Sequence, residues 1–155
     1  MDENLKNLGL SGDMNQNIKK FGLFAVMALG GLIIIISCFL NYLSVSANGF
    51  SVSTSLWSAG DGKYFIVVVL ICLIFAFINL EKGYSVMAFI VAGFTLFEVQ
   101  DYSEEVSKLP SAYKEMVSRG PGFWLMIIGT IILVGAAVAK IVLAKKAGNS
   151  NAMSE

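Results

Sequence analysis

Four long apolar stretches, separated by polar segments, dominate the pattern of this sequence. They cover about residues 21–45, 64–80, 83–99 and 121–144. A helix of roughly 20 apolar residues crosses the ~30 Å hydrocarbon core of a bilayer and bonds all of its backbone groups internally. The pattern therefore predicts an all-α membrane protein, a bundle of four transmembrane helices within residues 21–144.

The polar segments predict how these spans are arranged. Residues 1–20 and 145–155 form polar tails, and the long connections cover about residues 46–63 and 100–120. Both long connections then lie on one face of the membrane, and the tails lie on the other. Positive charges flanking the spans mark the cytoplasmic side. On the side of the tails they are Lys19, Lys20, Lys82, Lys140, Lys145 and Lys146, and on the other side they are Lys63, Lys108, Lys114 and Arg119. We therefore expect a multi-pass protein of the cytoplasmic (plasma) membrane with both termini in the cytoplasm.

The first outer loop alternates apolar and polar residues with a period of two. The alternation covers residues 43–46 and 50–54, and Asn48-Gly49 between them is typical of a two-residue hairpin turn. This pattern predicts a small β-hairpin at the end of the first span. Trp57 and Tyr64 follow it, at positions where aromatic rings favour the headgroup layer.

The second outer loop is mostly charged and polar, with apolar residues three or four positions apart on either side of Pro110. This spacing predicts one or two short amphipathic helices that lie over the bundle or on the lipid surface. The apolar residues are Val106, Leu109, Tyr113 and Met116. Pro121 at the head of the last stretch suits the first turn of a helix.

Small residues recur within the predicted spans, where they allow helix backbones to approach each other closely. The pairs are Cys72 with Ala76, Ala88 with Ala92, Gly135 with Ala139, and the adjacent Gly30 and Gly31. We expect them to pack helices within one chain or between copies of it. Cys38 and Cys72 are both expected to be buried packing residues, so no disulfide is predicted.

Glu98 is the only carboxylate that falls within a predicted span, near its outer end. Three interpretations are open: a position in the headgroup layer, a pairing with Lys63 or Lys108, or a role in moving ions or protons. The other polar groups in or near the spans are expected to form hydrogen bonds between helices. They are Ser37, Asn41 and Asn79.

Composition limits the functions that this chain can have. Hydrophobic residues make up 56% of it, charged residues 14%, and the mean hydropathy is +0.73. Its net charge of zero gives no general attraction to nucleic acid. It has no histidine, which is the commonest metal ligand and the usual general base at neutral pH. We therefore predict a protein that is not an enzyme and that has no cofactor and no metal site.

The layout resembles uncharacterised small four-transmembrane membrane proteins of Gram-positive bacteria. The residues that carry the resemblance are Asp61-Gly62 before the second span and Gly122-Phe123-Trp124 at the head of the last. A looser, architectural likeness exists to the claudin group, because Ser55-Leu56-Trp57 resembles the Trp-bearing motif of the claudin first loop. The paired loop cysteines of claudins are missing here.

Together these features predict an accessory, interaction or immunity-type protein that acts through its outer loops. Its expected partners are the lipid bilayer and a membrane or envelope protein, with a homo-oligomer as a further option. The expected partner-binding residues are Trp57, Asp61, Tyr102, Tyr113 and Trp124, all taken to be exposed. The alternative is an oligomeric ion channel or small-solute carrier, with Glu98 and Asn41 near the mouth of its pore. A lipid-binding or lipid-modifying role is a third option.

Overall fold

The apolar stretches of the sequence are mostly helical, and a small β-sheet accompanies them. The computed structural model describes residues 10–47, 49–78 and 81–152. In chain order the elements are α1 (Leu10–Phe39), β1 (Asn41–Ala47), β2 (Phe50–Ser55), α2 (Leu56–Ala59), α3 (Asp61–Phe77), α4 (Glu81–Lys108), α5 (Ser111–Lys114), β3 (Val117–Arg119) and α6 (Pro121–Ala152).

The long helices α1, α3, α4 and α6 pack side by side in a ring. α1 contacts α3 and α6, and α4 contacts the same two helices. The α1–α6 interface is the most extensive, and a Cβ atom on Gly129 of α6 would lie only 3.0 Å from the Gly30 carbonyl oxygen of α1. Gly31 instead faces Leu73 of α3. The two adjacent glycines therefore allow α1 to approach two different neighbours.

Large apolar side chains cover the outside of this ring. They include Leu29, Leu32, Ile36, Val67, Leu70, Ile74, Phe89, Leu96, Phe97, Ile128 and Ile131. The interior combines large side chains with small or polar ones. The small or polar ones are Ser37, Cys38, Cys72, Ala76, Ala88, Thr95, Thr130, Ala136 and Ala137. A water-soluble protein rarely exposes so much contiguous apolar surface, so this distribution is compatible with a membrane protein.

Three helical segments are long and apolar enough to cross a membrane. They are Phe21–Phe39, Gly83–Lys108 and Pro121–Lys145. They support the predicted membrane location by length and composition. The remaining predicted span, the second along the chain, falls on α3. This helix has 17 residues and is therefore about 26 Å long at ~1.5 Å per residue.

A three-stranded antiparallel sheet, with strand order β2-β1-β3, lies where α1 ends and α6 begins; we call this the sheet end of the ring. The two alternating segments of the first loop lie in β1 and β2, which pair Val45 with Val52. The other edge of β1 pairs with β3, which the sequence did not predict, and brings Val117 opposite Val45. Asn48 of the predicted turn lies outside the described residues.

Several predicted boundaries differ from the structure. Helix α1 ends at Phe39, so residues 41–45 of the first predicted span form a strand. Helix α4 continues past residue 99 to Lys108, so the segment before Pro110 is part of the long helix, and the four-residue α5 follows Pro110. Charged residues end a lipid-facing surface but not a helix, whereas Pro110 disfavours helical geometry at the residue before it. α1 begins at Leu10 and α6 ends at Ala152, so parts of both predicted tails are helical.

Candidate functional site

Three buried aromatic rings meet at the sheet end. Tyr42 comes from β1, Tyr102 from α4 and Phe123 from α6. The ring centroid of Tyr42 lies 6.1 Å from that of Tyr102 and 5.4 Å from that of Phe123, and the last two are 5.4 Å apart. Aromatic pairs at such distances contribute about 0.5–1.5 kcal/mol beyond their buried area. The cluster therefore ties the sheet to two of the long helices.

The Tyr42 hydroxyl fixes the orientation of this cluster. It donates a hydrogen bond to the backbone carbonyl of Glu98, with 3.0 Å between the two oxygens. Burial raises the pKa of the Tyr42 phenol above its ordinary value, and the charges of Glu98 and Asp101 add to this effect. The phenol therefore stays protonated and keeps donating at neutral pH.

Arg119, at the end of β3, packs its guanidinium against aromatic rings of the same region. Its guanidinium carbon lies 5.2 Å from the ring centroid of Tyr102, 4.8 Å from that of Phe123 and 6.0 Å from that of Trp124. Among the described residues, no oxygen atom forms an ion pair or a hydrogen bond with this guanidinium. Arg119 is exposed, so the N–H groups of its guanidinium are available to an acceptor outside the chain. We call Arg119, Tyr102, Phe123 and Trp124 the Arg119 cluster.

Two glycines place the Arg119 cluster. A Cβ atom on Gly120 would overlap the carbonyl oxygen of Asn41, and one on Gly122 would lie 2.8 Å from the carbonyl oxygens of Ser37 and Leu40. The start of α6 therefore passes directly over the end of α1 and the start of β1. The Gly120 N–H donates to the Tyr42 carbonyl at 2.9 Å and extends the pairing of β1 with β3. Arg119 is in this way held beside Tyr42 and its neighbours.

Two of the five predicted partner-binding residues, Tyr102 and Trp124, belong to the Arg119 cluster. Tyr102 is only 8% exposed, so the expectation that it is an exposed contact is wrong; its ring instead supports Arg119. Trp124 is 53% exposed and lies at the edge of the same cluster. Trp57 lies elsewhere, stacked on Phe39 at 5.1 Å between ring centroids. The remaining two, Asp61 at the start of α3 and Tyr113 on α5, are exposed.

The predicted intramembrane polar pair, Glu98 and Asn41, is divided between two kinds of structure. Glu98 lies in α4 and is half-buried, whereas Asn41 is exposed at the first position of β1 and so is not part of a helical span. Neither lysine proposed as a partner for Glu98 pairs with it. Lys63 lies over the Trp57 ring at 5.8 Å, and Lys108 pairs with Glu104 at 3.1 Å.

The polar groups between the helices differ from those expected. Ser37 is buried, but its hydroxyl donates to the Ile34 carbonyl of its own helix at 2.6 Å. Thr95 of α4 and Thr130 of α6, which the sequence analysis did not single out, contact each other through their hydroxyls at 2.9 Å. Asn79 lies outside the described residues. Cys38 and Cys72 are both buried and free of disulfides, as predicted.

Arg119 itself was missed as a candidate residue, although one local signal was present. A basic residue stands four positions before Phe123 and five before Trp124, with Gly120, Pro121 and Gly122 between them. The partners on β1 and α4, however, come from distant parts of the chain. In the described residues, no three side chains of the types that bind metals come together. Comparison of the chain with protein-family models and with curated proteins found no match.

Proposed function

We propose that this chain is a four-span protein of a bacterial cytoplasmic membrane that binds a membrane or envelope protein through its sheet end. The role is non-enzymatic, as an accessory subunit or an immunity-type protein. In this arrangement α1, α3, α4 and α6 cross the bilayer as a bundle. The sheet end faces outward, and both termini are cytoplasmic.

The apolar outer surface of the ring supports the membrane part of the proposal. α3 contributes exposed Val67, Leu70 and Ile74 to that surface, as the three longer helices do with their own side chains. Its length of about 26 Å is slightly less than a typical hydrocarbon core, a mismatch that local thinning or snorkelling of flanking residues accommodates at small cost. An even number of spans places both termini on one side of the membrane. Lysines flank the first and last helices at that end, opposite to the sheet, as expected for the cytoplasmic side.

The observation that carries the binding function is the exposed guanidinium of Arg119, which has no hydrogen-bond acceptor among the described residues. A guanidinium that is held by aromatic rings and has no acceptor within the described chain is preorganised for a carboxylate on another molecule. Arginine and tryptophan are also the residues most enriched among energetically important interface contacts. Trp124, exposed beside Arg119, supplies apolar area around the polar contact.

Crosslinking in native membranes tests this function. Cells that carry the tagged full-length protein are treated with a membrane-permeable crosslinker, and captured proteins are identified by mass spectrometry after purification in mild detergent. We expect a partner to be captured by the wild type and lost with Arg119→Gln. Lys114→Gln is the matched control, because Lys114 is a basic residue on the preceding α5 that does not contact the cluster. The amount of folded protein is measured by gel filtration for every variant.

Two results would overturn the binding function. One is a partner that Arg119→Gln captures as well as the wild type does. The other is recovery of only further copies of this chain, which would favour the oligomeric channel or carrier. In that case, loss of conductance in reconstituted Glu98→Gln that still assembles would support the channel.

A further inference from the structure

The small sheet has an apolar face and a serine face. Residues two positions apart on a strand share a face, and residues paired across two strands share one as well. The pairing of Val45 with both Val52 and Val117 therefore places all three on one face. Leu43 and Phe50 share that face by the same rule, as do Thr54 of β2 and Arg119 of β3, which both pair with Leu43. The opposite face carries Ser44, Ser46, Ser51, Ser53 and Ser118.

Only part of the apolar face is covered by the rest of the chain. Leu43 and Val117, near β3, pack against the buried core. Phe50 and Val52, on β2, are 81% and 68% exposed. Because the covered part of this face rests on the long helices, the exposed part points in the same direction, toward the level at which those helices end. The β2 side of the sheet therefore extends beyond the part of the chain that covers Leu43 and Val117.

The β2 side of the sheet carries no charge. Residues 21–60, which include all of β1 and β2, contain no Asp, Glu, Lys, Arg or His. Exposed strands at the edge of a sheet usually carry charges, above all lysine, that keep them soluble and prevent pairing with other chains. Beside the sheet, the stacked Phe39 and Trp57 are both about half exposed. Phe39 is the last residue of α1, so this pair extends the apolar outer surface of α1 toward the end of the ring that carries the sheet.

We propose that the β1–β2 hairpin lies on the outer leaflet of the membrane, with Phe50 and Val52 inserted among the lipids and the serine face turned to water. This inference rests on the membrane location proposed above. A lipid surface fits the observations because the exposed β2 side of this face, which carries Phe50 and Val52 and no charge, meets the acyl boundary without burying a charge, whereas Arg119 lies at the β3 side. Such contact would hold the sheet, and with it Arg119, at a fixed height above the bilayer.

Spin labels on the full-length protein test this orientation. Single cysteines are introduced at Phe50, Ser51, Val52 and Ser53 and labelled with a nitroxide in vesicles of phosphatidylethanolamine and phosphatidylglycerol. The native Cys38 and Cys72 are buried, and unsubstituted protein measures any background labelling. We expect oxygen, which concentrates in lipid, to dominate relaxation at residues 50 and 52. A water-soluble nickel complex should dominate at residues 51 and 53.

A label at Leu32, an exposed residue of α1, separates failure of this inference from failure of the membrane location. Oxygen dominance at Leu32 with nickel dominance at all four hairpin positions would overturn the hairpin inference alone. Nickel dominance at Leu32 would overturn both. Spin–spin broadening at residues 51 and 53 that disappears on dilution with unlabelled protein would show β2 pairing with a second copy, and would also overturn the inference.

A second measurement uses the unsubstituted protein and so does not depend on the folding of any variant. Vesicles containing lipids with a diazirine in the acyl chain are irradiated, and lipid adducts are mapped by peptide mass spectrometry. We expect adducts on Phe50 and Val52 and none on the serine face. Adducts on α1 without any on Phe50 or Val52 would contradict the proposed orientation.

Discussion

The hydroxyl oxygens of Thr95 and Thr130 lie 2.9 Å apart and join α4 to α6 inside the ring of helices. Each hydroxyl also lies within hydrogen-bond distance of a carbonyl oxygen in its own helix, Val91 at 3.0 Å and Met126 at 2.8 Å. Two protons therefore serve three contacts. When one threonine donates across the interface, only the other can donate to its own helix.

This sharing predicts that the two threonines are not additive. Thr95→Val or Thr130→Val should each lower the free energy of unfolding in a bilayer mimic by about 0.6 kcal/mol, the mean value of a hydrogen bond between membrane helices. The double variant should lose about as much as either single one, since each change alone already removes the contact. Steric-trap or denaturant unfolding in bicelles measures this. Thr54→Val, on exposed β2, is the control. A double variant that loses twice as much unfolding free energy as either single variant would contradict the prediction.

The glycine contact between α1 and α6 predicts a position-specific effect of a single methyl group. In Gly129→Ala the new carbon would lie 2.7 Å from the Ile34 side chain and 3.0 Å from the Gly30 carbonyl oxygen. Overpacking of this kind costs about 1–3 kcal/mol of unfolding free energy. Gly135→Ala on the same helix meets nothing within 4 Å and should cost nothing. Equal losses in the two variants, measured by the same unfolding assay, would mean that α1 and α6 do not pack through Gly129.

The buried Tyr42 phenol predicts a dependence of stability on alkaline pH. Its pKa is raised in the folded protein by burial and nearby negative charge, whereas in the unfolded chain it is about 10. Stability is unaffected below that value and falls as the pH rises above it, because the unfolded state is then favoured by releasing the proton. Thermal unfolding of wild type and Tyr42→Phe at pH 8 and pH 11 checks this. We expect a smaller decrease in the variant, and an identical decrease would contradict the assignment.

The planar shape of Arg119, and not only its charge, is predicted to matter for partner capture. Lysine keeps the positive charge, but it has no planar guanidinium group to pack against Phe123 and cannot present two parallel N–H groups to a carboxylate. We expect Arg119→Lys to reduce crosslinked partner by about tenfold, the loss that corresponds to one charge-assisted hydrogen bond. Lys114→Arg is the matched control. Full capture by Arg119→Lys would show that charge alone is sufficient.

Local sequence patterns predicted the helices and the hairpin strands better than their ends. Residues 41–45 are apolar enough to extend the first span, but the alternation of Leu43 and Val45 with serines indicates a strand, and the strand is what forms. Residues 100–108 are polar enough to end a span, yet their backbone remains helical, and the side chains of Glu104 and Lys108 form an ion pair one turn apart. Hydropathy predicts which residues suit a lipid environment. Where a helix begins and ends depends instead on the hydrogen bonds of its backbone.

The Arg119 cluster could not be predicted from local patterns, because its members come together only in the folded chain. β3 has three residues, too few for an alternation signal, and its partner β1 lies more than 70 residues earlier in the sequence. Tyr102 was expected to be exposed because it is surrounded by charged residues, but it turns toward Tyr42 and Phe123 on the inner side of α4. The exposure of Trp124 could be predicted, because its position near the start of the last span was sufficient for that prediction.

Helix α4 is a single rod of 28 residues, about 42 Å long, whereas the hydrocarbon core is about 30 Å thick. In the arrangement proposed above its Lys108 end stands clear of the lipid, and Thr95 lies on the same uninterrupted backbone deeper in the ring. A continuous helix of this length bends only gently. A load applied to the tip by a bound molecule would thus tilt α4 as a stiff lever, and the strain would reach the Tyr42–Glu98 hydrogen bond first and the Thr95–Thr130 contact after it.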